Sequence, residues 1–230
     1  MKNVYCLNVM EMRNIEVYKR ALDQLDEERR NKALRYREME DRIRSAGAGL
    51  LLQFAAQVVE ETGEAVAEAF FAWKVLTAEE VLRRVHKKRE FKYRIGADGK
   101  PYLREEAFQF SLSHSGDFVA CAVSDMEVGA DIQEKKASDY QKLVSRFFTV
   151  REQEVFAACS SERERRDLFY LLWTRKEAYG KLTGKGLKEG LNLMEVLEPE
   201  ALQASFEDYA GLPGYQGCVC RWNERKSGGV

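Results

Sequence analysis

The hydrophobic period of this chain changes near residue 105, and that change restricts its fold more than any other feature. Before it, from Leu22 to Glu61, apolar residues recur at helical spacing in two segments divided near Ser45–Gly49. After it, in FQFSLSH (108–114), Phe108, Phe110 and Leu112 point one way and Gln109, Ser111 and Ser113 the other, the alternation of a strand. FVACAV (118–123) is a second, apolar strand. In EVGADIQ (127–133), Val128, Ala130 and Ile132 share a face opposite Gly129, Asp131 and Gln133. Turns at Ser115-Gly116-Asp117 and Ser124-Asp125 lead us to expect an antiparallel meander of these three strands. Helices resume from Ser138 to Leu182 and stop at Gly184 and Gly186. Residues 3–10 read as a strand, and Thr77 with Glu80 forms a capping box at a helix start. The tail holds one or two strands, with CVCRW (218–222) the clearest, and ends in KSGGV, expected to be disordered. The pattern places a boundary near residue 105, dividing the chain into 1–105 and 106–230.

A chain of 230 residues is long enough for one large domain or two small ones in close contact. A third of its residues are charged, yet the net charge is −1, so no global field argues for nucleic acid or membrane, and any basic site is local. The five cysteines are odd in number and include no CxxC, which speaks against zinc and a disulfide framework and for free thiols in a reducing cytoplasm. The N-terminus, MKNVYCLNVMEM, lacks the apolar core of a signal peptide. The most apolar run, AGAGLLLQFAAQVV (46–59), is broken by Gln53 and Gln57 and is too short to span a bilayer.

Three stretches carry candidate chemistry. In LFYLLWTRKEAYGK (168–181), Phe169, Trp173 and Glu177 are spaced by four, which sets a carboxylate at the rim of a buried stripe. Such a group is costly without a neutralising partner. Lys181, one turn on, offers an ordinary surface pair worth a few tenths of a kcal/mol, about 0.2–0.5. Asp131 and Gln133, two apart on one strand face, either converge on a cation or lie along a solvated edge. In SLSHSGD (111–117), His114 at a strand end between Ser113 and Ser115 suits a phosphate, or is an inert turn histidine. The chain has no P-loop, no GxGxxG and no nucleophile elbow.

Taken in order, GKPYL, FSLSHSGD, VGADIQ and WTRKEAYGKLTGKGL resemble the surfactin-synthetase-type 4'-phosphopantetheinyl transferases, from the basic N-terminal helix to about residue 190. The resemblance implies an α+β fold of two similar subdomains in a pseudo-twofold arrangement, with the N-terminal one gripping the coenzyme A 3'-phosphate and the C-terminal one holding metal and catalytic motifs. It implies a magnesium-dependent, holo-[carrier protein] synthase reaction: 4'-phosphopantetheine moves from coenzyme A to a serine of an apo acyl or peptidyl carrier protein, and adenosine 3',5'-bisphosphate leaves. Asp131, Gln133 and Glu177 then match the Mg2+ ligands, and Glu177 also the general base. Lys181 matches a residue that steadies pyrophosphate or passes a proton. Ser113 and His114 match positions at coenzyme A phosphates, with His114 also in a catalytic place, and Lys176 a coenzyme A contact. Arg29, Lys32 and Arg44 match the grip on the 3'-phosphate, where bidentate arginine is apt; Arg30, Arg35 and Arg37 read as a solvated helix face. Lys100 and Pro101 match GKP, near the adenine and phosphate.

One position departs from the pattern. The family's acidic residue two after the aspartate is Gln133, which can ligate magnesium but without charge. The expectation is an active, cytoplasmic, monomeric enzyme acting on neither nucleic acid nor membrane. The alternatives are a catalytically weak relative that binds coenzyme A or carrier without transfer, and an unrelated helical protein whose basic helix contacts acidic partners. Carrier proteins are acidic helical bundles, so the segment between Gln133 and Arg151, with Lys135, Lys136 and Lys142, is the expected carrier surface.

Overall fold

The expected first strand is β1 (Lys2–Asn8). The computed structural model describes residues 2–62, 71–97, 99–104, 108–137, 139–186 and 190–223; the KSGGV end lies outside them. The chain divides into two compact units, Met1–Met126 and Glu127–Val230.

In the first unit β1 is central. It pairs in parallel with β2 (Ala72–Thr77), and antiparallel with β6 (Phe118–Ser124), which pairs in turn with β5 (Gln109–Ser115). The order is β2-β1-β6-β5. Against this sheet lies α3 (Met39–Thr62), which α1 (Ile15–Asp23) and α2 (Glu27–Arg35) cover, while α4 (Ala78–Arg84), opened by the expected Thr77–Glu80 capping box, meets β2. Leu7, Leu25, Leu50, Leu51, Val119 and Cys121 belong to one fully buried core. A short ribbon, β3 (Tyr93–Ile95) with β4 (Pro101–Leu103), completes the unit.

The expected break at Ser45–Gly49 does not occur, and α3 runs through it. The glycines serve close packing instead. A Cβ on Gly47 would come within 2.7 Å of Val9 Cγ1, and one on Gly49 within 2.8 Å of Leu25 Cδ2. Gln53 and Gln57, which interrupt the apolar run, are buried because they complete the backbone of a neighbouring segment. Gln53 donates to the Arg89 carbonyl (2.7 Å) and accepts the Arg89 N–H (2.9 Å). Gln57 donates to the Arg84 carbonyl (2.7 Å) and accepts the His86 N–H (3.2 Å).

The second unit is an antiparallel sheet ordered β7-β9-β8, with β7 (Val128–Glu134), β8 (Ala204–Tyr209) and β9 (Tyr215–Trp222). The expected three-strand meander is therefore corrected. β6 already has β1 on one edge and β5 on the other, so β7 pairs with β9 in a separate sheet. For the same reason the compact units divide after Met126 rather than near 105. Helices α5 (Gln141–Phe147), α6 (Val150–Ala157) and α7 (Glu162–Thr183) occupy the expected helical stretch. α7 is capped by the Ser161 side chain, which accepts the Glu164 N–H, and ends at Gly184 with φ of 82°. Aromatic stacking holds its first half: Phe169 lies 5.8 Å from Trp173 and 5.7 Å from Phe148, centroid to centroid.

Candidate functional site

The second half of α7 is pressed onto β7 at Gly129. A Cβ there would sit 1.9 Å from the Ala178 carbonyl oxygen and 2.5 Å from the Leu182 nitrogen, so only glycine permits this approach. The contact brings the two polar motifs together. Asp131 on β7 is 1% exposed. Its Oδ1 accepts Lys181 Nζ at 2.7 Å, and its Oδ2 accepts Gln133 Nε2 at 3.0 Å. Lys181 also donates to the Ala130 carbonyl at 3.0 Å.

Glu177 is one turn back along α7. Burial first, and then the Asp131 charge, push its carboxyl up to about 7, against the opposing pull of Lys181. The pairing expected from helix spacing is revised: the ion pair of Lys181 is with Asp131, and among the described residues the Glu177 carboxylate has no hydrogen bond or ion pair. Two carboxylates and an amide thus converge across β7 and α7. Among the described residues no group of three or more His, Cys, Asp or Glu side chains could hold a metal. The donor set nevertheless fits magnesium, which takes oxygen ligands and is usually held by one or two carboxylates, with water and substrate phosphate completing its shell.

Lys176 does not join this group. It is 0% exposed, 2.8 Å from the equally buried Glu152, and it donates to the Met194 carbonyl at 2.6 Å. Glu152 also accepts the Val196 N–H (3.0 Å) and the Thr149 N–H (2.9 Å). Lys176, expected at coenzyme A, forms a buried pin joining α6, α7 and the 194–196 segment. Sequence reasoning missed Glu152, although Thr149-Val-Arg-Glu152 is a capping box of the same form as Thr77–Glu80.

The remaining expected residues belong to the first unit. Arg29 and Lys32 lie on α2, and Arg29 is nearly buried against Tyr93 of β3. Burial first, then the Arg29 charge, lowers the Lys32 pKa. Arg44 on α3 donates to Asp41 (2.6 Å) and to the Gly116 carbonyl (3.3 Å), which brings it to the turn after His114. On β5 Ser113 is buried and His114 exposed. Lys100 stands 5.4 Å from the Tyr102 ring, beside Pro101 at the start of β4.

A family model described as the 4'-phosphopantetheinyl transferase superfamily matches residues 127–224, the stretch that contains Asp131, Glu177 and Lys181. Residues 127–224 are thus similar to that superfamily. The chain is 38% identical over 135 residues to the 4'-phosphopantetheinyl transferase psf-1 of Bacillus pumilus, covering 54% of this chain and 57% of the relative. It is 33% identical over 134 residues to 4'-phosphopantetheinyl transferase Sfp of Bacillus subtilis, covering 53% and 59%. The human L-aminoadipate-semialdehyde dehydrogenase-phosphopantetheinyl transferase is 31% identical over 112 residues, 43% of this chain and 36% of the relative. The chain thus spans less than two thirds of the length of these curated relatives. Similarity to the Sfp-type transferases agrees with the surfactin-type resemblance of the motifs, and the mixed helices and sheets agree with the α+β fold expected for the family.

Proposed function

We propose that the protein transfers 4'-phosphopantetheine from coenzyme A to a serine of an apo carrier protein, releasing adenosine 3',5'-bisphosphate. The observation that carries this reading is the convergence of Asp131, Glu177 and Lys181 across the Gly129 contact, inside the segment that the superfamily model matches. The serine oxygen attacks the β-phosphorus. An O–P bond forms there, the pyrophosphate P–O bond breaks, and the nucleotide leaves with the bridging oxygen. The serine proton goes to Glu177, directly or through water. A carboxyl held at about 7 suits a base working near neutral pH. Asp131, Glu177 and the Gln133 amide would hold Mg2+, which when bound neutralises charge on the pyrophosphate. Lys181, hydrogen-bonded to Asp131, stands at hand for the phosphate oxygens. Arg29, Lys32, Arg44, Lys100, Pro101, Ser113 and His114 would bind the nucleotide end of coenzyme A.

The protein is further proposed to be a cytoplasmic monomer that acts on neither nucleic acid nor membrane. Among the described residues no helix is long and apolar enough to cross a membrane. The carrier surface is proposed along residues 134–150. There Lys135 and Lys136 already pair with Asp167 and Glu134, and Val150 is 75% exposed. Charge reversal at Lys142 that leaves the apparent affinity for carrier unchanged removes Lys142 from it.

The test is the mass of several apo carrier proteins after incubation with this protein, coenzyme A and magnesium. A gain of one phosphopantetheine, abolished by chelator and by Glu177→Ala, is expected. Coenzyme A binding without a gain on any carrier selects the binding-only alternative.

A further inference from the structure

Arg29 is 8% exposed, yet among the described residues it makes no ion pair. Asp26, the N-cap of α2, is 2% exposed and has both oxygens engaged. Oδ1 caps α2 by accepting the Arg29 N–H at 2.9 Å, and Oδ2 accepts the Tyr93 hydroxyl at 3.0 Å. The Tyr93 oxygen accepts Arg29 Nε at 3.3 Å, and the guanidinium carbon lies 5.2 Å from the ring centroid.

This relay has a chemical consequence. A direct carboxylate partner would occupy the terminal nitrogens of Arg29, the fork that matches a phosphate. With a phenol interposed, Asp26 compensates the cation from one hydrogen bond away. Among the described residues only Nε is taken, and the ring flanks the guanidinium. Lys32 adds a second cation, close enough for the Arg29 charge to act on it. A fork fixed before the ligand arrives loses less conformational freedom on binding.

We propose that Tyr93, anchored by Asp26, is a positioning residue that aims the terminal nitrogens of Arg29 at the 3'-phosphate of coenzyme A. The inference rests on the reading of the first unit as the nucleotide site. Its test is direct binding of coenzyme A and of 3'-dephospho-coenzyme A by the full chain and by Tyr93→Phe and Arg29→Ala. Tyr93→Phe keeps the ring and loses the hydroxyl. It is expected to weaken coenzyme A about five- to tenfold, the scale of one ordinary hydrogen bond, and to leave the dephospho form within about twofold. No loss for coenzyme A in Tyr93→Phe, while Arg29→Ala weakens it, overturns the inference alone. Equal losses for both ligands also overturn it, since a merely structural hydroxyl would act on both. Unchanged binding in Arg29→Ala removes the nucleotide-site reading and the inference with it.

Discussion

Glu177 and Lys176 are neighbours in the sequence and opposites in the protein. About 100° of helix rotation separates them. Lys176 is sealed against Glu152, while the Glu177 carboxylate feels the charges of Asp131 and Lys181 without a hydrogen bond of its own among the described residues. For Glu177 the pH dependence follows from burial. Its carboxyl keeps its proton up to about 7 in the folded protein, whereas the unfolded chain releases it near 4.5. The folded state therefore binds more protons between those values, and stability falls as pH rises through that window, by up to about 3 kcal/mol. In chelator, Glu177→Gln should gain stability relative to wild type from pH 5 to pH 8. A difference that stays constant with pH in urea titrations would contradict this. Lys176→Met strands the Glu152 charge in the interior and should cost about 3–5 kcal/mol. A loss below about 1 kcal/mol would mean that the pair is not what holds α6 to α7. Sequence spacing reveals the stripe that holds Glu177, but not the partner of Lys176, because Glu152 is distant along the chain.

At the scale of elements, glycines decide what approaches what. Gly129 lets α7 touch β7, Gly47 lets α3 settle on the first sheet, and Gly49 lets it meet Leu25 and, on α2, Arg29. Gly129→Ala has no side-chain relief, since the obstructing atoms are the backbone of Ala178 and Leu182. The helix must move, Lys181 must leave Asp131, and stability should drop by about 1–3 kcal/mol or more, with transfer lost disproportionately. Transfer retained at the wild-type rate would show that the Asp131–Lys181 contact is dispensable. The strands were legible, β5 and β7 from alternation, β6 as an apolar run, and β1 and β9 as short strand-like stretches, and all five lie near where the sequence places them. Their partners were not. β6 and β7 are joined by a tight turn, which usually means a hairpin, but β1 outcompetes β7 for the free edge of β6. Glycine in α3 read as a break because a sequence does not reveal the close neighbours that make glycine necessary.

At the scale of the molecule, the expected site residues divide between the two units: nucleotide-binding candidates in the first, catalytic candidates in the second. Order along the chain made the second set legible, and the family match covers that part of the chain. Gln133 is where the chain departs from the motif. Restoring charge by Gln133→Glu should lower the magnesium needed for half-maximal transfer; an unchanged requirement would mean that this side chain does not touch the metal. The central claim is that Glu177 is the base in phosphopantetheine transfer. It is tested most directly by the single-turnover rate of holo-carrier formation with coenzyme A and magnesium saturating, for wild type and Glu177→Gln. The account predicts a rate lower by a factor of about 10²–10⁴ in the variant, with coenzyme A still bound. A variant rate within a few-fold of wild type would contradict it.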